Sequence, residues 1–340
     1  MPPKCRAPTA RITSAAVVDA PLNVPERSED PTAHRRPALG YALVLAAVAL
    51  WSVNATVAKI VVDSGGLSAL RLAEVRGTGA AILLFAGVAI FAPRTLRVTR
   101  RELGYLAIFG ICGLAFVHFF YFTAITHLDI GIALVIQYLA PVLVALWARF
   151  FVHEPVRRRL WYALALAFGG LTLVAEIWSG RGTLDGVGVA AALAGAFAYA
   201  LYILMAEHSV RGGRDVYSLL AWGFLFAALF WAVVQPWWSF PDGVLTRDSS
   251  LLGRLEDESL PVWLLIAYIV VLGTVVPFIF MVTALRHIPA TRATVVAMVE
   301  PVLAGLVAYA WLGEKISPEQ LVGGLMVLAA IVLAQTARGP

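Results

Sequence analysis

Charge is scarce in this chain: Asp, Glu, Lys and Arg make up 14% of its 340 residues, against roughly 25% in an ordinary soluble domain. Cysteine is scarcer still. Two residues, Cys5 and Cys112, are too few and too far apart for a disulfide framework or a structural zinc site. Lysine occurs three times, at Lys4, Lys59 and Lys315, and none follows a glycine. That excludes the phosphate-cradling Gly-Lys-Ser/Thr loop of ATP-driven pumps, and no cofactor is called for. What the chain has in quantity is apolar: 60% of its residues are hydrophobic and the mean hydropathy is +0.82. Spread over about 300 consecutive residues, that excess describes a membrane protein, not two soluble domains.

Residues 1 to 37 stand apart. They hold seven of the eighteen prolines, six basic and four acidic residues, a composition expected of a disordered tail. The apolar patch Ala15 to Val18 is too short for a secretory signal, and the hydrophobicity after Arg35-Arg36 is too great for a twin-arginine signal, so the first long run is expected to stay uncleaved. Ten apolar runs follow, near 40–61, 67–91, 103–125, 128–151, 159–178, 186–207, 216–238, 260–283, 290–312 and 317–336. Each is long enough to cross a hydrocarbon core of roughly 30 Å as a helix. The longest connection, Ser239 to Ser259, has room for a short surface helix. With the tail inside, the cytoplasmic segments carry seventeen Lys and Arg and the opposite side four. Positive loops are retained in the cytoplasm, so the expectation is a multi-pass plasma-membrane protein with both termini cytoplasmic. The net charge of +5 is then explained by topology, and no nucleic-acid partner is required. The partners expected are a small-molecule solute and the lipid bilayer, with monomer and homodimer both open.

A shift of 160 residues superposes Thr123–Glu154 on Thr283–Glu314 without a gap, and eleven of the thirty-two positions are identical. The matches include punctuation: His127 with His287, Pro141-Val142-Leu143 with Pro301-Val302-Leu303, and Glu154 with Glu314. Ten spans divided by two gives five per copy, an odd number, so the copies enter the bilayer from opposite faces. The expected fold is therefore all-α and membrane-integral, with two inverted five-helix repeats over 38–178 and 179–337. Such repeats are the usual architecture of secondary transporters.

The run Tyr121-Phe-Thr-Ala-Ile, then Ala133-Leu-Val-Ile-Gln137-Tyr-Leu-Ala-Pro141-Val, resembles the EamA-type repeat of the drug/metabolite transporter superfamily. So do Ala293 to Val296, Val299-Glu300-Pro301-Val and Leu312-Gly313-Glu314-Lys315 in the second copy, and Trp51-Ser-Val-Asn54, Lys59 and Arg76 near the start. One departure is His153-Glu154-Pro155, where such proteins often have Gly-Glu as in the second copy. The resemblance implies a ten-helix carrier, often an exporter of amino acids, other metabolites or drugs.

Polar residues inside apolar runs mark the candidate site. Glu300 falls near the middle of its run, where a carboxylate costs several kcal/mol unless it is paired, hydrated or protonated; it is a candidate for proton or cation handling, against a structural carboxyl bonded to a neighbouring helix. Arg76, deep in the second run, could hold a substrate carboxylate or pair with Glu300. Gln137 and Tyr138 precede Pro141, and Gln137 suits a zwitterionic or hydroxylated solute or else joins two helices. Trp51 and Asn54, three residues apart, share a helix face, and Tyr202 roughly mirrors Asn54 in the other half. His118 either exchanges a proton or stays neutral against a facing helix. Pro141 and Pro301 are expected to bend their helices as inert kinks or as gates. Lys59 is expected to snorkel, Arg71 to pair with Glu74, and the ridge Ala293, Ala297, Pro301, Gly305 to permit close helix packing. The expected function is secondary transport by alternating access, with export of small metabolites such as amino acids and proton exchange at Glu300. The alternatives are a multidrug or organic-cation efflux carrier using Glu300 as counter-charge and, more remotely, an intramembrane enzyme or a non-transporting scaffold. The enzyme lacks converging catalytic groups.

Overall fold

A computed structural model of the chain describes residues 36–128, 130–153, 157–177 and 185–336. Most of the expected tail, Glu154 and the joint near residue 178 lie outside these residues. Helix α1 (Pro37–Asp63) starts on a proline, whose missing N–H is not needed in a first turn. In α2 (Ala69–Phe91) the Ser68 hydroxyl accepts from the Arg71 N–H. A reciprocal Thr99–Glu102 capping box starts α3 (Arg100–Ile108). That helix runs through a π-turn, Phe109–Ala115, into α4 (Phe116–Ile125). Next come α5 (Ile130–Gln137), α6 (Ala140–Phe150), α7 (Arg158–Val174), and α8 (Gly186–Arg211) and α9 (Val216–Val234), the last two capped by Asp185 and Asp215. A second π-turn, Val271–Val275, joins α10 (Val262–Val270) to α11 (Val276–Ala284). The last helices are α12 (Ala290–Ala297), α13 (Glu300–Trp311) and α14 (Pro318–Thr336).

Joined across their π-turns and breaks, these helices give eight runs long and apolar enough to cross a membrane, and Pro318–Ala334 is a shorter apolar helix. The fold is that of an all-α integral membrane protein. Helix α7 has 17 residues and stops short of the expected 178, because Glu176 adopts a left-handed conformation (φ 45°) that turns the chain away. It lies against α14 at backbone distance: a Cβ on Gly170 would press on the Gly323 carbonyl, and one on Gly323 on the Gly170 carbonyl. Glycine is what lets two membrane helices approach so closely. The main core joins α1, α2, α8, α9 and α11. Ile82, Ile90, Phe150, Leu229 and Val233 point outward, as a lipid-facing surface requires.

The long connection forms no α-helix. It folds into short 3₁₀ turns and an antiparallel pair, β1 (Asp248–Ser250) with β2 (Ser259–Pro261), in the register Ser249 opposite Leu260. Leu252 and Gly253 both take positive φ, which an α-helix does not tolerate. Trp311 pins the segment by donating its indole N–H to the Leu251 carbonyl at 3.1 Å.

The two prolines act differently from bends in continuous helices. The chain stops at Tyr138-Leu139 and again at Met298-Val299, and restarts with Pro141 and Pro301 in the first turns of α6 and α13. The turns are held by tighter i to i−3 bonds, Leu139 N–H to Ile136 O and Val299 N–H to Val296 O. The two breaks lie 160 positions apart.

Candidate functional site

A cavity of about 920 Å³ lies among α1, α2, α4, α5, α8, α11, α13 and α14. All eight polar and aromatic candidates line it: Trp51, Asn54, Arg76, His118, Gln137, Tyr138, Tyr202 and Glu300. Pro301 lines it too, whereas Pro141 does not. The small-residue ridge divides: Ala293 and Ala297 are buried in packing, while Pro301 and Gly305 face the cavity.

Glu300 is the first residue of α13, delivered to the cavity by the break before it. Tyr138, in the corresponding break between α5 and α6, donates its hydroxyl to Glu300 Oε2 at 3.2 Å. Ser52 of α1 donates to the Glu300 backbone carbonyl at 3.1 Å. Arg76 reaches the second π-turn instead of a carboxylate: its Nε donates to Thr274 Oγ1 at 3.2 Å and its Nη2 to the Gly273 carbonyl at 3.4 Å. Among the described residues neither Arg76 nor Glu300 forms an ion pair, with the other or with a third residue. Away from the mouth, where Lys59 and Asp63 lie, the cavity thus holds one charge of each sign, on different helices, each tethered by neutral groups.

Asn54 wedges against the same π-turn, and a Cβ on Gly273 would collide with its Oδ1. Tyr202 presses against Gly113 in the other π-turn, where a Cβ would lie 3.3 Å from the Tyr202 Cα. Both side chains keep a buried polar atom without a hydrogen-bond partner among the described residues, Asn54 Oδ1 and Tyr202 Oη. Trp51 stands edge-on to Phe278 with ring centroids 5.3 Å apart, and Phe278 also contacts Tyr202 at 5.5 Å. The His118 ring bonds its own helix, Nδ1 to the Leu114 carbonyl at 3.1 Å.

The cavity reaches one end of the bundle, where Lys59, Asp63, Ile316 and Gln320 line it. Lys59 pairs there with Glu314 at 2.9 Å, so it has a partner and is not merely extended toward the interface. Among the described residues the other end is closely packed. A Cβ on Gly40 would come within 2.9 Å of Ile288, Glu207 accepts from the Ala290 N–H at 2.9 Å, and Tyr105 donates to the Met205 carbonyl at 2.6 Å. On α13 and α14, Leu306, Leu321, Leu325 and Leu328 line the cavity and are exposed.

Residues 38–175 and 186–336 each match the EamA-like transporter family. The chain belongs to that family. The threonine/homoserine exporter RhtA of Escherichia coli is 28% identical over 309 residues, covering 89% of this chain and 93% of its own. An uncharacterized transporter of Archaeoglobus fulgidus is 26% identical over 293 residues, covering 86% and 94%. A solved structure titled only as that of a protein superposes with a TM-score of 0.73 at 18% identity, covering 88% of this chain and 97% of that one; it speaks for the fold alone. For an EamA-family chain, a central cavity with polar groups in a largely apolar wall is a place for a solute.

Tyr121, Tyr199 and Phe278 are among the lining groups that were not expected as site residues from the sequence. Tyr121 lies three residues after His118 and Tyr199 three before Tyr202, a spacing that places each on its neighbour's helix face. That spacing was the available signal. The π-turns had none beyond Gly113 and Gly273, which composition alone does not distinguish from packing glycines.

Proposed function

We propose that this chain is a secondary carrier that exports small metabolites such as amino acids by alternating access, with a proton exchanged at Glu300. The observation that carries the reading is the cavity itself: Arg76 and Glu300 line one space of about 920 Å³ that reaches one end of the bundle, while close contacts among the described residues pack the other end. A cavity open at one end, with a few polar groups set in a largely apolar wall, is what one state of a carrier needs, and a channel would connect both ends. The relative named as a threonine/homoserine exporter supports the substrate class.

The proposed halves, 38–178 and 179–337, are read as inverted five-helix repeats. What supports this is irregularity repeated at the same offset. Gly113 and Gly273 lie 160 positions apart, each in a π-turn, and each packs against the first helix of the other half, Gly113 on the backbone and Cβ of Tyr202 and Gly273 on the side-chain amide of Asn54. Two similar contacts, one per half, suit a molecule that exchanges their roles as it turns inside out. With both termini in the cytoplasm, as loop charge indicates, the cavity opens outward. A bare organic cation is the weaker cargo, because Arg76 shares the cavity with Glu300.

Counterflow in proteoliposomes tests the proposal. Labelled L-threonine is expected to enter faster when unlabelled threonine is loaded inside, since only a carrier shows trans-stimulation. Flux indifferent to the internal amino acid would mean a channel, and the absence of flux for threonine and a wider amino-acid panel would remove the substrate class.

A further inference from the structure

We infer that Arg76 is the carboxylate-binding pole of the cavity, held in place by the π-turn Val271–Val275, with the cationic end of the solute lying toward Glu300. The inference rests on reading the cavity as a solute site.

Arg76 is positioned from the far side of the cavity, on α2, by two atoms of the π-turn. Thr274 is oriented to receive it: its hydroxyl proton goes to the Ile269 carbonyl at 2.8 Å, which leaves the Oγ1 lone pairs for the Arg76 Nε–H at 3.2 Å. The Gly273 carbonyl takes a second N–H at 3.4 Å. A guanidinium has five N–H donors, and these two are the hydrogen bonds that Arg76 makes within the described residues. Both acceptors are neutral. A π-turn is uncommon inside a helix and tends to mark a functional position; here it brings a hydroxyl and a carbonyl to the same arginine.

A cation facing a cavity inside a membrane, with neutral partners only, is costly. The arrangement persists without the obvious remedy, an ion pair with Glu300, although both line one cavity. The Arg76 fork therefore keeps N–H groups for an incoming anion, and a carboxylate matches it with two parallel charge-assisted bonds. Glu300 has one oxygen engaged by Tyr138 and can receive an ammonium group. A solute with both charges satisfies both poles at once, and Trp51 and Phe278 provide an apolar flank for its side chain. A monoanion would leave Glu300 without a counter-charge, and a monocation would leave Arg76 without one.

The test is a thermal-shift titration of purified full-length protein with L-threonine, L-threoninamide, which lacks the carboxylate, and N-acetyl-L-threonine, which lacks the ammonium. In the wild type the acid is expected to bind at least about tenfold more tightly than the amide, the scale of a charge-assisted pair. R76Q should bind both carboxylates more weakly and no longer separate acid from amide. R76K, which keeps the charge without the fork, should fall between and serves as the folded control. E300Q should keep the preference for acid over amide while losing that for threonine over its N-acetyl form. An R76Q or R76K protein with the wild-type acid-to-amide ratio, or a wild type that binds no carboxylate, overturns the inference. The two readings fail separately. N-acetylthreonine held through Arg76 with no transport of threonine or of the wider amino-acid panel leaves the pole standing and removes the proposed function. Trans-stimulated threonine flux with an unaltered acid-to-amide ratio in R76Q removes the pole alone.

Discussion

Tyr138 gives its hydroxyl proton to Glu300 at 3.2 Å, and this bond ties the break between α5 and α6 to the break between α12 and α13. The two residues come from corresponding interruptions, yet they are not equivalent by the 160-residue shift, which pairs Tyr138 with Met298 and Glu300 with Ala140. One interruption supplies a donor and the other an acid. A movement at either break is thus transmitted to the only carboxylate delivered by these turns among the described residues.

If Glu300 carries the proton, Glu300→Gln should abolish the pH dependence of threonine counterflow in liposomes while leaving expression intact. The amide keeps the size of the acid and can still accept from Tyr138. Tyr138→Phe should keep a pH dependence and change the rate, because it removes a hydrogen bond worth about 1 kcal/mol and no charge. A wild-type pH profile in the Glu300→Gln protein would take the proton away from this residue.

Asn54 occupies the space that a side chain on Gly273 would need. Gly273→Ala should therefore destabilise the protein by roughly 1–3 kcal/mol, the range for overpacking a filled site. Asn54→Ala added to it should recover most of the loss, because the collision involves the amide end of that side chain. Thermal unfolding of the two single variants and the double variant measures the coupling, and strictly additive effects would show that the contact is not the cause.

Much of this geometry was legible in the sequence. Membrane helices must satisfy their own backbone, so the spans stood out as long apolar runs; eight of the ten expected runs recur as helices long and apolar enough to cross a membrane, while α7 and the apolar part of α14 are shorter. For the same reason Arg76, Gln137 and Glu300 stood out as polar groups with a cost to justify, and the structure sets all three around one cavity. What stayed hidden depends on relations between helices. Both π-turns are changes of hydrogen-bond pattern inside apolar sequence, and Tyr199 and Phe278 look like packing residues until the cavity is seen. The hairpin in the long connection follows from two left-handed residues, Leu252 and Gly253, and leucine gives no warning of that.

Two ion pairs should behave differently when broken. Arg71 and Glu74 are joined at 2.8 Å with side chains 12% and 3% exposed, and Glu74 Oε1 has no hydrogen-bond partner among the described residues. Arg71→Met would strand a buried carboxylate and is expected to cost about 3–5 kcal/mol. Lys59 and Glu314 are about half exposed, so Lys59→Met should cost less than about 1 kcal/mol. Thermal unfolding at matched salt separates the cases, and equal losses would mean that burial does not set the difference.

His287 lies in the connection between α11 and α12, at the closely packed end of the bundle. Its Nδ1 accepts the Arg36 backbone N–H at 3.5 Å, which requires that nitrogen to be unprotonated. Partial burial, followed by the nearby charges of Arg286 and Arg36, holds its pKa below the ordinary 6.5. The unfolded chain therefore takes up this proton first as the pH falls. The contribution of His287 is fully present above pH 6.5, declines as the pH drops below that value, and levels off once the folded protein is protonated as well. The melting temperature of the wild type should accordingly fall more steeply from pH 7 toward pH 5 than that of His287→Gln, which cannot titrate. The other ionisable groups are common to both proteins and cancel in the difference between the curves. Parallel curves would assign the pH dependence to groups elsewhere and leave the Arg36–His287 contact without a part in closing this end.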